Sequence, residues 1–96
     1  SFFFEDPAPP EIYLFPFAPL FAPDWILVSA GFDAHDRDPL AQISLQTEDY
    51  AWVTGELLAV AGECCDGKVV SLLEGGYNLE ALTESVQAHV RVLMAD

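Results

Sequence analysis

The order in which the apolar periodicity changes along this chain limits its fold more than any other feature. Trp25-Ile26-Leu27-Val28-Ser29-Ala30 is a short apolar run of β-forming residues ending at Gly31, the pattern of a strand buried on both faces. Turn formers and charges fill the next ten positions, from Gly31 to Leu40, so a loop leaves that strand at its carboxyl end. Thr47-Glu48-Asp49 supplies an N-cap and first-turn acids, and Tyr50, Val53, Leu57 and Ala61 then recur at helical spacing to about Cys64. Asp66-Gly67 breaks that helix, Lys68 to Leu73 reads as a second strand, and Glu74-Gly75-Gly76-Tyr77 is its exit loop. Asn78 caps a second helix, whose Leu79, Leu82, Val86, Val90 and Leu93 step along one face. Strands separated by helices of this length imply a parallel sheet with a right-handed crossover, so the fold class is α/β with a partial parallel sheet in βαβα order. Ligands of such sheets sit beyond the carboxyl ends of the strands, the edge on which both loops fall.

Residues 1–23 belong to none of this. They hold six of the seven prolines and most of the phenylalanines, and proline fixes φ and lacks an amide donor, so neither a long helix nor a central strand can persist there. The segment reads as an extended Pro/Phe-rich arm lying across an apolar surface, and residues 24–96 as the α/β part. Ninety-six residues allow one domain at most, with a thin core. A net charge of −13 repels phosphate backbones and anionic headgroups, which removes nucleic acid and membrane from the partners. The acids are scattered, as on a solvated surface. Cys64 and Cys65, adjacent in sequence, are badly placed for an ordinary disulfide, so a reducing compartment and a cytoplasmic location are expected. They read as one buried and one surface thiol, His89 as a histidine at the boundary of the apolar face, and Trp25 and Trp52 as core aromatics.

Two groups could carry chemistry. Asp33, His35, Asp36 and Asp38 place four possible ligands in six residues, either for a cation or simply to hold turns, although zinc normally draws its protein ligands from more than one element. In Glu74-Gly75-Gly76-Tyr77, two glycines allow close approach of a ligand, and the tyrosine after them could donate its hydroxyl to a developing oxyanion. The alternative for Tyr77 is a ring packed over the strand end with its hydroxyl satisfied.

The run from Ile26 to His35, followed by Asp38-Pro39-Leu40-Ala41 and Thr47-Glu48-Asp49-Tyr50, closely resembles a signature of the zinc-dependent histone deacetylase and acetylpolyamine amidohydrolase family, class II-like members in particular. Leu73-Glu74-Gly75-Gly76-Tyr77-Asn78-Leu79-Glu80-Ala81-Leu82 continues the resemblance, which covers Ala22 to the end. It implies the C-terminal part of an arginase/deacetylase-type domain in which Asp33 matches a zinc-ligand aspartate, Tyr77 the transition-state tyrosine, and Gly75 and Gly76 the substrate-pocket loop. It implies zinc and no other cofactor, with acetyl-lysine or acetylpolyamine as substrate. Asp33-Ala34-His35 shares the Asp-x-His spacing of the family's other two ligands, but its surroundings belong to the second-aspartate motif, where His35 orients the loop.

The family's Asp-His ligand pair and tandem histidines have no counterpart in this sequence. The chain is therefore expected to be a piece of an enzyme, inactive alone. The alternative is a non-catalytic interaction module that docks through its Phe/Pro arm. With two strands and two helices the sheet edges stay open, so self-association is expected.

Overall fold

A computed structural model describes residues 21–41 and 43–95. The elements run β1 (Ile26–Ala30), α1 (Thr47–Cys64), β2 (Val69–Leu73) and α2 (Leu79–Met94), each within a residue of the span the sequence suggests. β1 and β2 pair in parallel, with Ile26 opposite Val69 and Ala30 opposite Leu73. The Pro/Phe arm expected over 1–23 lies outside the described residues except for its last three positions.

Each helix end has an identifiable cause. The cap of α1 is Gln46 rather than Thr47: the Asp49 carboxylate accepts the Gln46 amide at 2.7 Å, and Thr47 spends its hydroxyl elsewhere, on His35. The helix stops where Asp66 and Gly67 take φ of +61° and +76°, bringing the Gly67 amide back to the Ala61 carbonyl at 3.0 Å. Asn78 caps α2 as expected, its side chain accepting the Ala81 amide at 2.9 Å.

The core lies on one side of the sheet only. Ala30, Phe32, Val60, Ala61, Cys65 and Ala81 are its buried apolar members, while on the opposite face Leu27 and Leu72 are 68% and 58% exposed. The expectation of a strand buried on both faces is thus corrected. β1 alternates between half-covered and open positions because both helices pack against the face of Val28 and Ser71 and, among the described residues, nothing covers the face of Leu27 and Leu72. Trp25 is likewise exposed rather than core, with the Lys68 ammonium 5.5 Å from its ring centroid. Cys65 is buried and Cys64 half-buried; both thiols are free. Burial, with Glu63 beside it, pushes the Cys64 thiol up, away from a reactive thiolate.

The buried stripe of α2 is Ala81, Ser85 and His89, not the larger aliphatics, of which Leu79 and Val90 are exposed. His89, only 6% exposed, is a core residue and not a boundary one. Its protons can be assigned from its neighbours. Thr54 Oγ1 donates to the Tyr50 carbonyl at 2.6 Å, so it can only accept from His89 Nδ1 at 2.7 Å. Nε2 is then left to accept the Ser71 hydroxyl at 2.8 Å. One neutral imidazole thus joins α1, α2 and β2, and burial holds its pKa below the ordinary histidine range.

Candidate active site

Beyond the strand ends the ladder continues for one step, and this step places the two loops. The Glu74 amide donates to the Ala30 carbonyl at 3.0 Å and the Phe32 amide to the Gly75 carbonyl at 2.8 Å. Asp33 follows directly, and its carboxylate lies against Gly75: a Cβ there would stand 3.2 Å from Asp33 Cγ and Oδ2. Gly75 is therefore small because a carboxylate occupies the space a side chain would need. Gly76 has a second reason. Its φ is +136°, and a Cβ would meet Leu82 Cδ1 at 2.8 Å. The glycine pair thus admits a neighbouring side chain on one side and the first turn of α2 on the other.

Tyr77 leaves this turn with its side chain 53% exposed, which does not fit a ring packed over the strand end. Its amide is held by Asp38 Oδ2 at 2.8 Å, across 39 positions of sequence. Asp38 Oδ1 accepts from the Leu40 amide at 2.9 Å and the Ala41 amide at 3.4 Å, and the residue is 6% exposed. Burial raises its pKa, but the amides of Leu40, Tyr77 and Ala41 together outweigh that and hold the carboxyl below its usual range.

The four possible ligands of the first loop do not converge. His35 is buried with both nitrogens engaged: Nδ1 accepts the Arg37 amide at 3.1 Å and Nε2 faces Thr47 Oγ1 at 3.1 Å. Asp36 Oδ1 lies 3.0 Å from Nδ1, but that carboxylate is exposed and takes the Gln46 amide group at 2.8 Å. Asp38 is spent on backbone amides. Asp33 alone keeps a carboxylate at the open edge, beside the glycine turn. Among the described residues no group of three or more His, Cys, Asp or Glu is placed to hold a metal ion. A zinc site needs about three protein ligands, so the described residues do not form one by themselves and Asp33 could be at most one donor.

Tyr50, an apolar helix position that also closes the Thr47-Glu48-Asp49-Tyr50 run, packs its ring against Phe32 at 5.0 Å and stacks on His35 at 6.5 Å. Its buried hydroxyl makes no hydrogen bond of ordinary geometry. Burial, reinforced by the charges of Asp33 and Asp38 and opposed by the Ala34 and His35 amides, pushes its pKa up to about 12. It stays a neutral phenol under the loop that carries Asp33. Nothing in the sequence separated this tyrosine from a packing residue.

The family model described as "Histone deacetylase domain" matches residues 10–93. "Histone deacetylase 14, chloroplastic" of Arabidopsis thaliana is 45% identical over 86 residues, which are 90% of this chain and 20% of that protein. "Polyamine deacetylase HDAC10" of Homo sapiens is 45% identical over 83 residues, 86% of this chain and 12% of that one. The crystal structure of the HDA15 HD domain superposes with a TM-score of 0.74 at 40% identity, covering 84% of this chain and 22% of that one. The chain therefore spans a fifth or less of the length of these two relatives. Because one relative is named as chloroplastic, membership does not fix a cytoplasmic location. No helix among the described residues is long and apolar enough to cross a membrane. The parallel α/β frame, the paired loops at its carboxyl edge and these similarities agree: the chain belongs to the histone deacetylase family and carries part of an arginase/deacetylase-type domain.

Proposed function

We propose that this chain supplies one side of the active site of a zinc-dependent deacetylase acting on N-acetyl groups of acetyl-lysine or acetylpolyamines. The observation that carries this reading is the meeting of Asp33 and the Gly75-Gly76-Tyr77 turn at one sheet edge, joined by the Phe32 to Gly75 hydrogen bond of 2.8 Å. Asp33 would be one zinc ligand. Zinc, when bound, supplies Lewis-acid polarisation of the acetyl carbonyl and acidifies a water molecule. The chain's own contribution to the barrier is Tyr77, whose phenol donates to the acyl oxygen as negative charge develops there in the tetrahedral transition state. Gly75 and Gly76 keep side chains out of the space beside it. With one candidate ligand at this edge, the described residues hold no complete site, and the isolated chain is expected to show no turnover when zinc is added.

A chimera tests the reading. Residues 24–95 of this chain replace the matching segment of the Arabidopsis histone deacetylase 14, and hydrolysis of an acetyl-lysine peptide and of N-acetylspermidine is followed with zinc present. The chimera is expected to turn over at least one of them. Tyr77→Phe should lower kcat by roughly 10²–10³-fold, the scale of a lost oxyanion donor. A folded, active chimera indifferent to Tyr77→Phe and Asp33→Asn would refute the assignment.

A further inference from the structure

Tyr77 has little of its own to fix its direction. Two glycines precede it, one of them at a φ of +136°, and its ring is half exposed. The nearest fixed point downstream is Asn78, occupied in capping α2 through the Ala81 amide. The remaining tie is the Tyr77 amide on Asp38 Oδ2 at 2.8 Å.

An aspartate that merely shapes its own turn uses local amides, as Asp38 Oδ1 does with Leu40 and Ala41. The second oxygen is not needed for that turn, yet it crosses to the other loop. The carboxylate is buried, and the nearby guanidinium of Arg37 pairs instead with Glu84 and, at 3.6 Å, with Glu80. Its compensation comes from backbone amides, so its position and theirs determine each other. A buried acceptor fixed on one loop that holds the amide of the residue proposed to donate to the acyl oxygen sets where that residue's Cα–Cβ bond points.

We propose that Asp38 is a positioning residue for Tyr77, locking the glycine turn to the loop of Asp33 so that phenol and carboxylate keep one mutual geometry. This rests on the deacetylase reading for its purpose, but the tie itself belongs to this chain. Asparagine cannot replace the aspartate, because its single oxygen can serve the turn or Tyr77 but not both, and its NH₂ would face an amide donor. Asp38→Ser keeps a short acceptor for the local turn and cannot span the loops.

The chain is labelled with 3-fluorotyrosine, the Tyr77 resonance is assigned by its loss in Tyr77→Phe, and amide exchange of peptides covering 26–30, 47–64 and 74–79 is followed by mass spectrometry. In Asp38→Asn and Asp38→Ser, the Tyr77 fluorine signal should shift or broaden. Exchange across 74–79 should quicken at least tenfold, with β1 and α1 unchanged. An unmoved Tyr77 signal in both variants, or equal acceleration in every peptide, would reduce Asp38 to a turn former or a general stabiliser and overturn the proposal. In the active chimera, Asp38→Ser should lower kcat tenfold or more with KM within twofold, and an unchanged kcat would overturn it as well. An inactive chimera would count against the deacetylase reading alone, since the fluorine and exchange results decide the tie independently.

Discussion

Replacing His89 by leucine removes both ring nitrogens while keeping most of the volume, so it isolates what the buried polar chain contributes. Two hydrogen bonds are lost, to Thr54 at 2.7 Å and to Ser71 at 2.8 Å, and the Ser71 hydroxyl is left without its acceptor. Thr54 keeps its bond to the Tyr50 carbonyl, so only one donor is orphaned. At about 0.5–1.5 kcal/mol per neutral bond, with the orphaned hydroxyl adding to the cost and leucine's apolar burial opposing it, a net loss of roughly 1–3 kcal/mol is expected. Urea unfolding at micromolar concentration, followed by tryptophan fluorescence, measures it. Ser71→Ala in both backgrounds gives the coupling, expected at about 0.5–1.5 kcal/mol for groups in direct contact. The pH dependence supplies a second check. The folded pKa of His89 is depressed, so the unfolded chain binds the proton first as pH falls. Stability is then fully present above the unfolded value of about 6.5 and declines as pH drops from there through the folded pKa. His89→Leu should flatten that decline between pH 7 and 5. A stability change below about 0.5 kcal/mol with additive mutations and an unaltered pH profile would refute the assigned hydrogen-bond chain.

Gly76→Ala combines a φ of +136° with a contact of 2.8 Å to Leu82, and should cost on the order of 1–3 kcal/mol in thermal or urea unfolding. Gly75→Ala meets only the Asp33 carboxylate, at 3.2 Å; it should leave stability within about 1 kcal/mol and instead lower kcat in the chimera by displacing that side chain. The bare face of Leu27 and Leu72 should make the isolated chain associate, since covering each large aliphatic contributes about 1.5–3 kcal/mol. Sedimentation velocity should show oligomers that Leu27→Lys with Leu72→Lys shifts toward monomer, and a monomeric parent chain would contradict this.

Much of this architecture was legible because it rests on local rules. Apolar runs of strand length, the Asp66-Gly67 break after α1 and an asparagine before α2 place elements without reference to anything distant. The loop carrying Asp33 and the turn carrying Tyr77 fall on one edge because parallel strands put their carboxyl ends together. What was not legible depends on partners far along the chain. Hydropathy picks Leu79 and Val90 for the buried stripe of α2, but the helix packs instead through Ala81, Ser85 and His89, two small residues and one whose nitrogens are satisfied only by Thr54 and Ser71. Strand β1 reads as doubly buried from its apolar run, yet burial of the second face requires a layer that the described residues do not contain.

The same distinction explains the first loop. Four ligand-type side chains within six residues invite a metal site, but their spacing says nothing about which oxygens the backbone will claim. His35 and Asp38 are claimed completely, one under the start of α1 and the other under Tyr77, so neither remains the candidate ligand that sequence alone leaves eligible. Asp33 escapes because the residue across from it is glycine, which has no side chain to fill the space and turns its own carbonyl toward Phe32. The polar side chains of this loop are thus sorted by which of them are buried and must find a donor. A buried acceptor left unpaired costs on the order of 1–3 kcal/mol, so that sorting is enforced by folding itself.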